Sequence, residues 1–282
     1  MSKPEEFPEQ SQNLPGKQSK MNPLPEVIRK DYKGSDKLKN KIALITGGDS
    51  GIGRSIAVHF AREGAHVAIV YLSADSDAKE TRLQVEKEGQ KCLLIKADLQ
   101  KTEQCERVLK TCINEYGQLN ILINNAAIHF PKDDISDISM KDFDKTFKTN
   151  IYAYFYLTKI TLAHLKDGDT IINTSSVTAY RGSNHLVDYA STKGAIVSFT
   201  RSLSKQLAEK NIRVNGVAPG PIWTPLIPAT FNDISNFGKD QPLGRAGQPS
   251  EVAPAYVFLA SKDASYITGQ FIHINGGEVV GA

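Results

Sequence analysis

At 282 residues the chain can bury a sizeable core, as one large domain or two small ones. Its 34 Lys and Arg against 31 Asp and Glu leave a formal net charge of +3, too balanced to announce a nucleic-acid or membrane partner. Cys92, Cys105 and Cys112 form no CxxC pair and no metal spacing with histidine, the opening MSKPEEFPEQ lacks an apolar signal core, and no apolar run approaches a membrane span; inert thiols, no metal and a cytoplasmic location are expected.

Residues 1–38 are rich in Pro, Gln, Lys and Glu and poor in large apolar groups, a composition that cannot offset its own ordering entropy. Two readings stand: a solvated, disordered extension, or an extended arm that packs along a neighbouring subunit through Leu14, Met21, Leu24 and Ile28. From residue 39 to 282 the pattern changes to short apolar runs alternating with amphipathic segments, the signature of a parallel sheet covered by helices on both faces. Strands are predicted at 42–46, 66–71, 91–96, 120–124, 170–174, 212–218 and 270–274, and helices at 52–63, 75–88, 102–115, 139–165, 187–209 and 249–260. The stretch 219–248 holds five prolines, four glycines and the only tryptophan, and a loop that long inside a compact domain points to function.

The first strand runs into TGGDSGIG and then a helix, the context that makes a glycine motif informative. Gly47 permits the tight turn, Gly51 lets backbone approach a pyrophosphate, and Gly53 lets the helix start close to the sheet. The helix N-terminus then offers free N–H groups to phosphate. The second strand ends in Tyr71, Leu72, Ser73, Ala74 and Asp75 with no base, and the loop carries Asp49 and Ser50. A free ribose 2′-hydroxyl suits that setting better than a 2′-phosphate, so NAD is favoured and NADP remains open. Arg54, the nearest base, is expected on the first helix and directed away.

Further along, Tyr189 and Lys193 stand four apart in YASTK, which places both on one helical face. A neighbouring ammonium favours the phenolate, and the expected consequence is a tyrosine pKa lowered toward working pH.

The spacing GxxxGxG followed by YASTK resembles the short-chain dehydrogenase/reductase family over about residues 40–278. The arm and TGGDSGIG further resemble the bacterial branch described as general stress proteins or glucose/ribitol dehydrogenases. This resemblance implies an α/β, Rossmann-like, doubly wound, seven-stranded parallel sheet in a single domain. ADL at 97–99 is similar to the family's adenine-contacting segment, implying Asp98 and Leu99. NNAA is similar to its NNAG, implying Asn125 and Ala126 beside the cofactor ribose, with Ala127 in place of the usual glycine. PGPIWT is similar to its PGxxxT, implying Pro219, Ile222 and Thr224 near the nicotinamide. Ile52 joins the loop contacts. Asp98 could instead cap the following helix, and Asn124 and Asn125 could brace loops.

By the same resemblance, Asn150, Ser176, Tyr189 and Lys193 carry the chemistry. Tyr189 exchanges a proton with the substrate oxygen, Lys193 holds the nicotinamide ribose, Ser176 holds the substrate oxygen, and Asn150 holds a water that links Lys193 to solvent. Ser176, thirteen residues before Tyr189, is preferred to Ser175 on that spacing. Thr178, Tyr180, His185, Val187, Trp223 and Leu226 are expected to line a pocket for a small polyol, sugar or aldehyde, although Tyr180 and Trp223 could equally be packing residues. The expected activity is hydride transfer between a nicotinamide cofactor and a small alcohol or carbonyl. A catalytically silent NAD(P)-binding sensor is the alternative; it would need only the cradle. The apolar stretch 151–165 and the family's habit together imply a homotetramer.

Overall fold

Seven short apolar runs become seven strands in one all-parallel sheet, ordered β3-β2-β1-β4-β5-β6-β7, in a computed structural model that describes residues 7–280. The outermost parts of the arm (1–6) and of the domain (281–282) lie outside the described residues. The strands are β1 Ile42–Thr46, β2 His66–Tyr71, β3 Cys92–Lys96, β4 Ile121–Asn124, β5 Thr170–Thr174, β6 Arg213–Pro219 and β7 Phe271–Ile274. Between them run α1 Gly51–Arg62, α2 Asp75–Lys87, α3 Thr102–Tyr116, α4 Met140–Phe147, α5 Ala153–Thr161, α6 Thr178–Arg181, α7 Val187–Leu207 and α8 Pro249–Ala260.

Successive strand side chains point to opposite faces, so the strands of a sheet covered on both sides run near-continuously apolar instead of alternating. In β1, Ala43 and Ile45 enter a core beneath Ile56, Phe60, Val252 and Tyr256 of α1 and α8. Ile42 and Leu44 enter the opposite core, with Val108, Leu157 and Leu203 of α3, α5 and α7. The doubly wound architecture is therefore the one the sequence predicts. The strand order reverses between β1 and β4, and ligand crevices open at such a switch point, beyond the strands' carboxyl ends.

Two elements differ from expectation. The single helix predicted over 139–165 is interrupted by a π-helical turn at Lys148–Tyr152, which separates α4 from α5. π-turns insert a residue without altering hydrophobic periodicity enough to be seen, and they concentrate at functional sites. The short α6 was not anticipated.

The arm differs more. It packs on its own subunit, and it is held by polar contacts that composition does not register. The buried Glu63 accepts hydrogen bonds from the Tyr32 hydroxyl at 2.6 Å and the Ser35 and Lys37 backbone N–H at 2.9 and 3.1 Å. The buried Asp77 accepts from the backbone N–H of Gln18 and Ser19 at 2.7 and 3.3 Å. Such carboxylates are costly to bury without donors, so the arm's backbone is their solvation. Met21 joins Trp223, Ile227 and Ile234 in a third apolar cluster, whereas Leu24 remains 63% exposed.

Trp223 is fully buried there: its Nε1 donates to the Pro23 carbonyl at 2.8 Å, and its ring stacks on Phe7 with centroids 3.9 Å apart. Removing it leaves a large cavity at the junction of arm and body. Trp223→Ala should therefore cost about 3–5 kcal/mol of unfolding free energy by urea denaturation. A midpoint equal to that of the native protein would show that the arm is not clamped through this ring.

Candidate active site

The glycine loop between β1 and α1 turns where only glycine is comfortable. Gly47 has φ +62°, and a Cβ on it would lie 3.0 Å from the Ala126 Cα. A Cβ on Gly53 would fall 1.9 Å from the Gly47 carbonyl oxygen, so the first turn of α1 can approach the loop only because that atom is missing. Asn125 fastens the same loop from β4. Its side-chain amide donates to the Thr46 and Gly47 carbonyls at 3.0 and 3.2 Å, and its backbone N–H donates to the Thr46 hydroxyl at 2.8 Å. Asn124 is buried deeper, bonded to Thr158 and Asn173, and braces the sheet.

These elements wall a cleft of about 1000 Å³, at the upper end of the roughly 300–1,000 Å³ usual for small-molecule sites. Gly47, Asp49, Ser50, Gly51, Ile52, Tyr71, Asp98, Leu99, Asn125, Ala126, Pro219, Ile222 and Thr224 all line it, together with Ser176, Thr178, His185, Tyr189 and Lys193. An elongated cleft with a glycine cradle at a helix N-terminus fits a dinucleotide. Asp98 holds a local turn, its Oδ1 accepting from the Gln100 N–H at 3.1 Å. The carboxyl of Asp49 is pushed up to about 6, chiefly by burial. Arg54 is on α1 and turned from the cleft: its guanidinium donates to the Asp49 and Asp77 carbonyls at 2.7 and 2.9 Å and to the Thr81 hydroxyl at 2.9 Å.

At the other end α7 presents Tyr189 and Lys193 together, with the Lys193 Nζ 5.3 Å from the tyrosine ring centroid. The ammonium is buried and donates to the Thr174 carbonyl at 2.9 Å. Ser176 stands beside the Tyr189 phenol, where its hydroxyl favours the phenolate, and accepts from the Thr178 hydroxyl at 3.0 Å. Ser175 is committed elsewhere, its hydroxyl donating to the Lys193 carbonyl at 2.9 Å. The π-turn aims Asn150 at the Ile128 backbone, accepting from its N–H and donating to its C=O, both at 2.9 Å, and at the Thr192 hydroxyl at 3.2 Å. Its amide thus ties the β4 loop to α7.

The pKa expectation for the tyrosine reverses sign. Burial pushes the Tyr189 phenol up to about 12, against the weaker pull of Ser176, and pushes the Lys193 ammonium down to about 7. Desolvation is the first cause of both shifts.

Three expected pocket residues lie elsewhere. Trp223 is sealed in the arm cluster, and Tyr180 packs edge-on against Phe271 and His273, with centroids 6.3 and 4.5 Å away. Neither lines the cleft, nor does Val187, whereas Leu226 does. Both rings are thus packing residues, the other of the two roles open to them, because position along the chain does not determine which way a ring faces. His129 was missed as a pocket residue. Its ring centroid lies 5.2 Å from that of Tyr189, its Nε2 pairs with the Thr230 hydroxyl at 2.8 Å, and burial drives its pKa down to about 3, which keeps it neutral. Leu14, Pro15 and Gly16 of the arm also line the cleft, and nothing in their composition signals it.

A family model described as enoyl-(acyl carrier protein) reductase matches residues 47–278. Among curated proteins, the uncharacterized oxidoreductase YhdF of Bacillus subtilis is 56% identical over 97% of this chain and 95% of its own. The NADPH-dependent aldehyde reductase 1, chloroplastic, of Arabidopsis thaliana is 52% identical over 95% of this chain and 96% of its own. The glucose and ribitol dehydrogenase of Daucus carota is 48% identical over 98% of each. A short-chain dehydrogenase from Burkholderia cenocepacia, solved in complex with NADP, superposes with a TM-score of 0.81 at 30% identity, covering 86% of this chain and 98% of that one.

A lysine pKa depressed from 10.5 to about 7 has a direct thermodynamic consequence. Between those values the unfolded chain binds the proton and the folded one does not, so stability rises with pH. Below the folded value the full burial penalty applies. Relative to Lys193→Met, the ligand-free native protein should gain stability from pH 7 to 9, by at most about 1.4 kcal/mol per pH unit. The phenol does not interfere, because its unfolded pKa of 10.0 lies above that window. Thermal midpoints of both proteins across the window test this, and a constant difference between them would mean that Lys193 does not titrate there.

Proposed function

The chain belongs to the short-chain dehydrogenase/reductase family and is an NAD(P)-dependent oxidoreductase, and on that premise we propose that it interconverts the alcohol and carbonyl forms of a small hydroxylated substrate, a polyol, sugar or aldehyde, with Tyr189 as the proton-exchanging group. The observation that carries this reading is the buried Lys193 ammonium, 5.3 Å from the ring centroid of a phenol that stands beside Ser176. When bound, the nicotinamide supplies or accepts the hydride.

The residues do the rest. Ser176 and Tyr189 converge on one point of the cleft, where a substrate oxygen would take hydrogen bonds from both hydroxyls. With its pKa near 12 the phenol is protonated and can give its proton to a carbonyl oxygen as that oxygen becomes an alkoxide. The phenolate left behind is stabilised by Ser176 and by the ammonium, an interaction strengthened by the dry surroundings. In alcohol oxidation the same groups act in reverse. Asn150, bonded to Ile128 and Thr192, keeps the loop after β4 in register with α7. A polar wall including Thr178 and His185 supports a hydroxylated substrate, as do the names of the Arabidopsis and carrot relatives.

We also read the adenosine end as suited to NAD. Tyr71, Leu72, Ser73 and Asp98 line it, and Arg54 is spent on Asp49, Asp77 and Thr81. The name of the Arabidopsis relative points the other way, so the two cofactors need direct comparison. A homotetramer is supported by Tyr152 and Phe155, 60% and 54% exposed beside α7 on a helix that needs covering. Three buried, unpaired cysteines fit a reducing cytoplasm. No helix among the described residues is long and apolar enough to cross a membrane.

A panel of sugars, polyols and aldehydes, followed at the reduced-nicotinamide absorbance, should reveal turnover with a higher kcat/KM for NAD(H) than for NADP(H). Tyr189→Phe should lose roughly 10²–10⁴-fold in kcat while still binding NADH. A variant turning over near the native rate would end the assignment of Tyr189, and a preference for NADPH would reverse the cofactor reading.

A further inference from the structure

The two lips of the cleft are the glycine loop and the segment 219–248, and the N-terminal arm touches both. On one side the Gln18 side-chain oxygen accepts a buried hydrogen bond from the Gly51 N–H at 2.7 Å. Gly51 begins α1, and its N–H is one of the first amides of that helix, which find no partner within it. Gln18 is itself fixed. Its backbone N–H donates to Asp77, Asp77 lies 3.6 Å from the Arg54 guanidinium, and Arg54 donates to the Asp49 carbonyl in the loop. The chain of contacts therefore leaves the glycine loop through Gly51 and returns to it through Asp49.

On the other side Gly16 lies so close to the second lip that a Cβ would fall 2.2 Å from the Pro225 carbonyl oxygen. Gln12 N–H donates to the Pro228 carbonyl at 2.8 Å. Between these two anchorages Leu14, Pro15 and Gly16 form part of the cleft wall itself.

We propose that the N-terminal arm is a strap across the cofactor site of its own subunit, in which Gln18 is a positioning residue for the dinucleotide. Gln18 takes the Gly51 amide and holds the loop so that the following amide, that of Ile52, which lines the cleft, faces the pyrophosphate. As a neutral acceptor it satisfies that amide without placing a negative charge beside the phosphates. This rests on the reading of the cleft as an NAD(P) site, but it assigns a role to a segment which that reading does not need.

The test is NADH binding to the full-length protein, followed by the change in reduced-nicotinamide fluorescence without substrate. Gln18→Ala should weaken binding by roughly five- to tenfold, the worth of one hydrogen bond that orders the loop. Gln18→Glu keeps an acceptor for the Gly51 N–H but adds a charge. It should bind NADH more weakly than Gln18→Ala at low salt, and the gap should shrink as salt rises, because screening removes a charge effect and leaves a structural one. NADH affinities within twofold of native in both variants would overturn the proposal, as would losses that are equal in the two and indifferent to salt. If Gln18→Glu does not fold, the Ala variant decides alone: native affinity with a lowered thermal midpoint would make Gln18 a mere tether. Failure of the native protein to bind NADH or NADPH would instead defeat the cofactor-site reading.

Discussion

A positive charge is buried with no carboxylate partner among the described residues, and the candidate site is arranged around that fact. The Lys193 ammonium rests on the Thr174 carbonyl and on the faces of Tyr154 and Tyr189, at 5.7 and 5.3 Å from their centroids. Carbonyl dipoles and aromatic faces offset only part of the desolvation cost, so the lysine pKa falls to about 7. What such a site lacks is a negative charge. On the proposed mechanism, a phenolate formed at Tyr189 during proton transfer would supply one next to the ammonium, and the unfavourable burial in the resting protein would turn into a favourable interaction as the reaction proceeds. Catalysis depends on that kind of difference between ground and transition states.

The fold supplies the geometry with little left to chance. β4, β5 and β6 lie side by side, and their carboxyl ends deliver Asn125, Thr174 to Ser176, and Pro219 to the same crevice. α7 crosses that end and contributes Tyr189 and Lys193 one turn apart. The π-turn at Lys148–Tyr152 gives Asn150 an orientation from which it reaches both the Ile128 backbone and Thr192. Of the proposed catalytic groups, Asn150, Tyr189 and Lys193 thus sit on helices, where neighbouring packing fixes their rotamers, and Ser176 follows two residues after the end of β5.

What the sequence made legible follows a physical line. Strands such as 42–46 and 66–71, the cradle at 46–53 and the Tyr–Lys pair all depend on spacing within one element, and each is read from a few adjacent residues. Distance along the chain favours Ser176 over Ser175, and the Ser175 hydroxyl donates to the Lys193 carbonyl. The misreadings involve contacts between distant segments or a balance of energies. Trp223 faces Pro23 rather than a substrate, Tyr180 faces β7, and the shift of the Tyr189 pKa is decided by burial, which spacing cannot express.

The arm is the clearest case. A segment poor in apolar groups cannot fold on its own hydrophobic area. It can fold on someone else's unsatisfied polar groups. Glu63 and Asp77 are buried carboxylates that need donors, and backbone N–H groups are donors that any sequence carries. Composition is blind to that resource, since it resides in the peptide rather than the side chain. The complementary signal sits elsewhere, in Glu63 at the end of α1 and Asp77 in the first turn of α2, each buried at about 1% exposure on an otherwise ordinary helix. A buried acid whose donors cannot be found nearby in the sequence is evidence for a distant segment that brings them, and here that segment also walls the cofactor cleft.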